Sequence, residues 1–258
     1  MSRKFKRTLV SMLFKIKNYP ASLFRVKKLD YPKKDLFIIV DNFKEYYVRV
    51  NSCKKEPETV RWIEKFCSNR TVFYDVGANI GAYSLIAAAN GASVYAFEPA
   101  YPNFCKLNEN VSLNRFDDQI DCFPIALSVE TKIGEFKYFE TVPGTSKGYY
   151  LIEHKYDSKN MHPETEKHTL VYSMGDFVDT FKLPYPNMLK IDVDGEELDV
   201  IKGALEVLKN PLLRTMLVEI DDSLNSSRTL LDILYNYGFK VESKHQRTSS
   251  IYNCILSR

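Results

Sequence analysis

The chain has 258 residues, 45% hydrophobic and 27% charged, with a net charge of +3. That length holds one large domain, or one domain with an extension, around a substantial core. The charge is uneven: residues 1–30 carry nine Lys/Arg and one acid, which leaves 27 Lys/Arg and 32 acids for the rest. An acidic body of this kind is not the broad basic surface of a nucleic-acid binder. Cys53, Cys67, Cys105, Cys122 and Cys254 are scattered, with no C-x-x-C pair. They argue against a zinc site or a disulfide framework and fit a reduced, cytoplasmic compartment. No apolar run is long enough to span a membrane, and Lys15 and Lys17 interrupt the first one in a way that does not suit a cleaved signal peptide.

Residues 3–18 have the period of a helix. Phe5, Leu9, Met12, Leu13 and Ile16 share one arc, Arg3, Lys4, Arg7 and Lys15 lie opposite, and Asn18-Tyr19-Pro20 ends it. Two readings compete: peripheral docking on an anionic membrane face, or packing of the apolar stripe on the domain. Leu36 to Val40 and Tyr46 to Val50 flank Asp41-Asn42 and predict a hairpin. Together these make residues 1–58 an N-terminal extension to a domain over 59–258. Glu58 to Cys67 reads as a helix. A regular alternation follows: strand Val72–Asp75, helix Ala82–Asn90, strand Val94–Phe97, helix Asn103–Leu113 and strand Ile120–Ile125. Residues 129–170 break the rhythm with one strand, Glu135 to Phe139, and a polar stretch holding His154, His162 and His168. We read this as an insertion, the kind of segment that carries substrate contacts. Order returns with strand Met188–Val193, helix Glu196–Lys209, strand Thr215–Ile220 and helix Ser227–Tyr237. Phe239–Ser243 and Ile251–Leu256 then follow without a helix between them, which allows an antiparallel final pair.

Two loops carry the chemistry. Thr71 to Gly81 reads T-V-F-Y-D-V-G-A-N-I-G, and a second strand ends at Glu98. Strand, glycine loop, helix, strand, acid is how a Rossmann-like half grips an adenosyl cofactor. The loop lacks the G-x-G-x-x-G spacing that admits a pyrophosphate, and Asp75 would place a carboxylate beside any phosphate. S-adenosylmethionine, which has an ammonium and a sulfonium but no phosphate, suits the acid better. Glu98 can accept both ribose hydroxyls. The second loop, Asp192-Val193-Asp194-Gly195-Glu196-Glu197, follows a strand end, where open α/β sheets place ligands. Asp194 and Glu197 have the spacing of a capping box, whereas Asp192 lies on the strand end itself. Asp192 is the first candidate for the base that aligns and deprotonates an acceptor hydroxyl, and Asp194 the second. A divalent-metal variant, less favoured, would gather Asp192, Glu219, Asp221 and Asp222.

D-V-G-A-N-I-G at 75–81, F-E-P at 97–99, A-L-S at 126–128, L-K-I-D-V-D-G-E-E at 189–197 and V-E-I at 218–220 together resemble the FkbM-type methyltransferases. The resemblance covers roughly residues 60–258. It implies the Rossmann-like class I methyltransferase fold, a seven-stranded, mostly parallel sheet with an antiparallel last strand, and S-adenosylmethionine as cofactor. Carried over by position, Asp75, Gly77, Ala78, Asn79 and Gly81 would hold its methionine part, Glu98 its ribose, and Ala126 and Leu127 would flank the adenine. The acceptor class it implies is a hydroxyl of a sugar or lipid-linked glycan. Tyr149, Tyr150 and Tyr156 in the insertion add sugar-stacking candidates. Another acceptor (protein, RNA or a small metabolite) and a non-catalytic adenosyl-binding domain are the competing functions.

Overall fold

The computed structural model describes residues 25–41, 43–138, 148–150 and 165–258. The expected helix over 3–18, His154, His162 and Tyr156 lie outside them. Val26–Lys28 (β1) pairs antiparallel with Phe37–Ile39 (β2). The expected hairpin partner, Tyr46 to Val50, is mostly helical instead, within Phe43–Arg49 (α1). The reason is local: buried Glu45 accepts the Asp41 backbone N–H at 2.6 Å, and an acid in the first turn favours a helix start over a β-turn. Two helices follow, Ser52–Lys55 (α2) and Pro57–Phe66 (α3). Leu29, Tyr31, Leu36, Ile38 and Val40 belong to the same core as Trp62, Phe73 and Ile86. The segment over 25–58 is therefore built into the body.

The main sheet has seven strands. They are Val72–Val76 (β3), Ser93–Phe97 (β4), Ile120–Phe123 (β5), Met188–Ile191 (β10), Thr215–Asp221 (β11), Lys240–Gln246 (β12) and Ile251–Ser257 (β13). Their order is β12-β13-β11-β10-β3-β4-β5. The five from β11 to β5 are parallel, and β13 enters antiparallel between β12 and β11. This is the mostly parallel sheet with an antiparallel final strand that the sequence predicts. Parallel strands covered on both faces read as continuous apolar runs, with successive side chains entering opposite layers. Phe73 enters one core with Leu85, Ile86 and Trp62, and its neighbour Tyr74 enters the other with Leu189, Val200 and Leu230. The crossover helices include Ala82–Ala89 (α4), Tyr101–Leu113 (α5) and Asn225–Asn236 (α9).

The expected single strand over Ile120–Ile125 stops at Phe123, because Pro124 has no N–H to give the ladder. Ile125–Ser128 (β6) leaves the main sheet and starts a second one, ordered β6-β9-β7-β8. Its other strands are Lys132–Tyr138 (β7), Gly148–Tyr150 (β8) and Thr165–Ser173 (β9). The described part of the expected insertion is thus strand-rich. A helix the periodicity did not announce, Met174–Phe181 (α6), follows at once, with the Ser173 hydroxyl capping Asp176 N at 3.1 Å. The long helix expected over Glu196–Lys209 is two pieces, Glu197–Gly203 (α7) and Leu205–Lys209 (α8).

Candidate active site

Three strand ends meet at one cavity of about 400 Å³. The first is the end of β3. Gly77, Asn79 and Gly81 all have positive φ (80°, 52° and 91°), and Gly77 and Ala78 donate to the Phe97 carbonyl at 3.0 and 3.1 Å. The turn is so close to β10 that a Cβ on Gly77 would lie 1.9 Å from the Asp192 carbonyl oxygen. Only glycine fits there, on conformation and on space. Asn110 of α5 holds the far side of the loop, donating to the Ile80 carbonyl at 2.8 Å while accepting from Ile39 N of β2 at 2.7 Å.

The second strand end carries Glu98. It is buried, and its two oxygens accept from Asn79 N (2.8 Å), Ala100 N (3.0 Å) and the Asn103 amide (3.4 Å). Burial pushes its carboxyl up to about 7 against those hydrogen bonds. A carboxylate has about four acceptor directions, so after these three Glu98 has capacity left for a hydroxyl of a ligand. Ala126 and Leu127 on β6 join Phe97, Ile125 and Phe136 as an apolar shelf beside it.

The third strand end is β10. Lys190 is fully buried in mid-strand, with Nζ 2.9 Å from Asp192 Oδ2, 3.7 Å from Asp75 Oδ1, and over the Tyr83 ring at 5.4 Å. Burial raises the Asp192 carboxyl, but Lys190 outweighs it and holds the group below the usual carboxylate range. Asp194 sits in the left-handed region at φ 55°. Burial, then the charges of Asp192 and Glu197, push its carboxyl well above the ordinary value. Glu219, at the end of β11, is pushed up to about 9 by burial and then by Asp192 and Asp194. The surroundings of Asp192 therefore favour its ionised form, whereas those of Asp194 and Glu219 favour the protonated one.

Gly77, Ala78, Asn79, Glu98, Ala126, Leu127, Asp192 and Asp194 all line this cavity. Asp75 and Gly81 are not in its lining. Asp75 is buried behind the loop, where it accepts from the Ser84 hydroxyl at 2.6 Å and faces Lys190. Gly81 is the residue from which α4 starts. The capping box at Asp194 and Glu197 does not form: the cap position is Glu196, and Glu197 turns back to accept Gly195 N at 2.8 Å. Among the described residues no three His, Cys, Asp or Glu side chains are grouped to hold a metal. Asp221 instead accepts from Ser223 N and its hydroxyl at 2.9 and 2.7 Å. His168 is exposed on β9. Sequence reasoning passed over Lys190, whose signal was a cation inside an apolar strand, a residue seldom buried unless paired. It also passed over Arg49, Lys55 and Arg247, which line the cavity from distant parts of the chain.

The sequence profile described as the methyltransferase FkbM domain matches residues 75–241. The hexuronic acid methyltransferase AglP of Haloferax volcanii is 29% identical over 172 residues, 67% of this chain and 65% of that protein. The 31-O-demethyl-FK506 methyltransferase FkbM of Streptomyces tacrolimicus is 27% identical over 66% of this chain and 73% of its own length. The chain thus spans just under two thirds of AglP. A solved S-adenosylmethionine-dependent methyltransferase from Agrobacterium tumefaciens superposes with a TM-score of 0.52 at 9% identity, over 90% of this chain and 70% of that one. A solved FkbM methyltransferase from Methylobacillus flagellatus gives 0.50 at 13%, over 81% and 62%. These superpositions establish a shared fold. No helix among the described residues is long and apolar enough to cross a membrane. The matched span runs from the acid of β3 through the glycine loop, Glu98 and the acidic turn, the same elements that meet at the cavity, and by that match the chain belongs to the FkbM methyltransferase family.

Proposed function

We propose that this protein transfers a methyl group from S-adenosylmethionine to a hydroxyl of a sugar, on a saccharide or a lipid-linked glycan. The observation that carries the reading is the meeting, in one cavity, of the glycine loop, Glu98 and an ionised Asp192. The residues present fit the cofactor. Gly77 keeps the loop flat against β10, Glu98 offers acceptors to a ribose diol, and the Ala126–Leu127 shelf offers an apolar surface to adenine. S-adenosylmethionine supplies an electrophilic methyl on a sulfonium when bound. Asp192 then orients the acceptor hydroxyl and takes its proton, held ionised for that work by Lys190. Asp194, pushed up by burial and by the charges of Asp192 and Glu197, is the weaker candidate for that role. The sugar acceptor is supported by AglP, which acts on hexuronic acid.

Calorimetry with S-adenosylhomocysteine tests the cofactor, and a gain of 14 daltons on a saccharide pool tests the transfer. Failure to bind S-adenosylhomocysteine would sink the whole reading. In the same proposal, residues 3–18 dock on an anionic membrane and bring the domain to a lipid-linked acceptor. Removing residues 1–20 is expected to abolish sedimentation with anionic vesicles, and unchanged sedimentation refutes the docking.

A further inference from the structure

The cavity has a positively charged wall that the transfer of a methyl group does not require. Arg247 lies in the turn between β12 and β13, which also brings Thr248 and Ile251 to the cavity. Its Nη2 is 2.8 Å from Glu56 Oε1, and its Nη1 donates to the Lys55 carbonyl at 3.0 Å. Lys55 Nζ reaches the same Glu56 Oε1 at 3.2 Å. One carboxylate oxygen is thus shared by two cations, which leaves one positive charge in excess. The other Glu56 oxygen is occupied by Thr59 Oγ1 (3.3 Å) and Asn253 Nδ2 (3.4 Å). Glu58, which accepts from the same Asn253 amide at 3.1 Å, does not line the cavity. Arg247 Nε is buried and has no hydrogen-bond partner. A guanidinium has five N–H donors, so this one keeps donors to spare after its two contacts.

The place of this wall in the sheet decides what it would meet. Glu98 is at the end of β4, and the Arg247 turn leads into the start of β13, beside the end of β11, with β3, β10 and β11 between. Four strand spacings separate them, roughly 19 Å. Asp192 lies between the two, so the wall is on the side of the proton acceptor away from the ribose acid. A neutral sugar hydroxyl would leave the excess charge unmatched. A carboxylate would match it, because its two oxygens fit the planar fork of donors a guanidinium presents.

We infer that Arg247 and Lys55 form a carboxylate subsite for the acceptor, which is therefore an acidic, uronic-type sugar in preference to its neutral parent. This rests on the methyltransferase reading above. The raised carboxyl of Glu219, at about 9, points the same way, since it lessens the repulsion an anion would meet from the neighbouring wall.

The test is calorimetry on the full chain saturated with S-adenosylhomocysteine, with methyl glucuronoside and methyl glucoside as paired probes that differ in the carboxylate. The glucuronoside is expected to bind at least tenfold tighter, with the margin shrinking in high salt. Arg247→Gln should reduce the margin to about twofold or less while S-adenosylhomocysteine binds as before. Lys55→Gln, at a half-exposed side chain, should reduce it in part and serves where the Arg247 variant does not fold. Equal binding of the two probes, or none of either, overturns the inference. So does a variant that loses S-adenosylhomocysteine in the same proportion, because the carboxylate served would then be the cofactor's. Binding of S-adenosylhomocysteine to the unaltered chain separates these failures from a failure of the methyltransferase reading itself.

Discussion

The two aspartates of the acidic turn are two positions apart, and their carboxyls are shifted in opposite directions. Asp192 is paired with Lys190 at 2.9 Å, which favours its ionised form, while Asp194 stands among carboxyls that push its own carboxyl well above the ordinary value. An ionised acid can accept a proton at neutral pH, and a protonated one cannot. Asp192→Asn is therefore expected to lower kcat on the order of 10²- to 10⁴-fold, the usual contribution of a positioned acid or base. Asp194→Asn keeps the shape and supplies a donor where the surroundings already disfavour a charge, and should cost less than about tenfold. S-adenosylhomocysteine affinity should change little in either, which shows that binding is intact. Comparable losses of kcat in the two variants would remove the distinction drawn from their surroundings. Lys190 has a double role at this scale. It pairs with Asp192 toward the cavity at 2.9 Å and stands 3.7 Å from Asp75 behind the loop, so one cation is shared by acids on adjacent strands, and burial still pushes the Asp75 carboxyl up.

At the scale of elements, one close approach sets how α7 lies against the second sheet. Gly203, the last residue of α7, lies against β6 so tightly that an added Cβ would be 1.9 Å from the Ser128 carbonyl oxygen and 3.3 Å from Ser173 Cα. Both obstacles are backbone, so α7 would have to back away from the strand that carries Ala126 and Leu127. Gly203→Ala should lower stability by about 1–3 kcal/mol, the usual cost of overpacking. Gly175→Ala is the control, because its Cβ would have nothing nearer than 3.7 Å and the helical position tolerates it. Thermal melts of the two variants side by side decide the matter, and equal midpoints would mean that the approach is not rigid. Legibility in the sequence followed locality here. The helices and parallel strands from Glu58 onward were readable from period and punctuation, as was the antiparallel last pair. Tyr46 to Val50 has the composition of a strand, and the helix there depends on Glu45, an acid whose partner lies four residues back. The Met174–Phe181 helix did have a signal, Ser173 followed three residues later by Asp176, but it abuts a strand without a loop. The candidate site divided the same way. Its contiguous motifs were visible, while Arg49, Lys55 and Arg247 meet only because β13 folds back beside β11 and the N-terminal helices pack over the strand ends.

For the whole molecule, the cavity ties global stability to pH. Glu98 is pushed up to about 7 and Glu219 to about 9 from an ordinary 4.5, and Asp194 is raised well above 3.8. In each case the folded state holds a proton that the unfolded chain has already lost. Folding then binds more protons than unfolding, and stability falls as pH rises. The stabilisation from Glu219 is fully present below pH about 4.5 and is lost as pH climbs through about 9. The window for Glu98 closes earlier, near 7. Asp192 works in the opposite sense, since its lowered value stabilises the fold above 3.8 and the benefit is lost as acid protonates it. The midpoint of thermal unfolding should therefore drop between pH 7 and pH 9. Glu219→Gln, which cannot ionise, should flatten that descent, each group accounting for at most about 1.4 kcal/mol per pH unit. Superimposable pH profiles for the variant and the unaltered chain would show that Glu219 is already ionised at pH 7. The charge balance at the acceptor end of the cavity would then be more negative than the one described, and a carboxylate-bearing acceptor would have to overcome it.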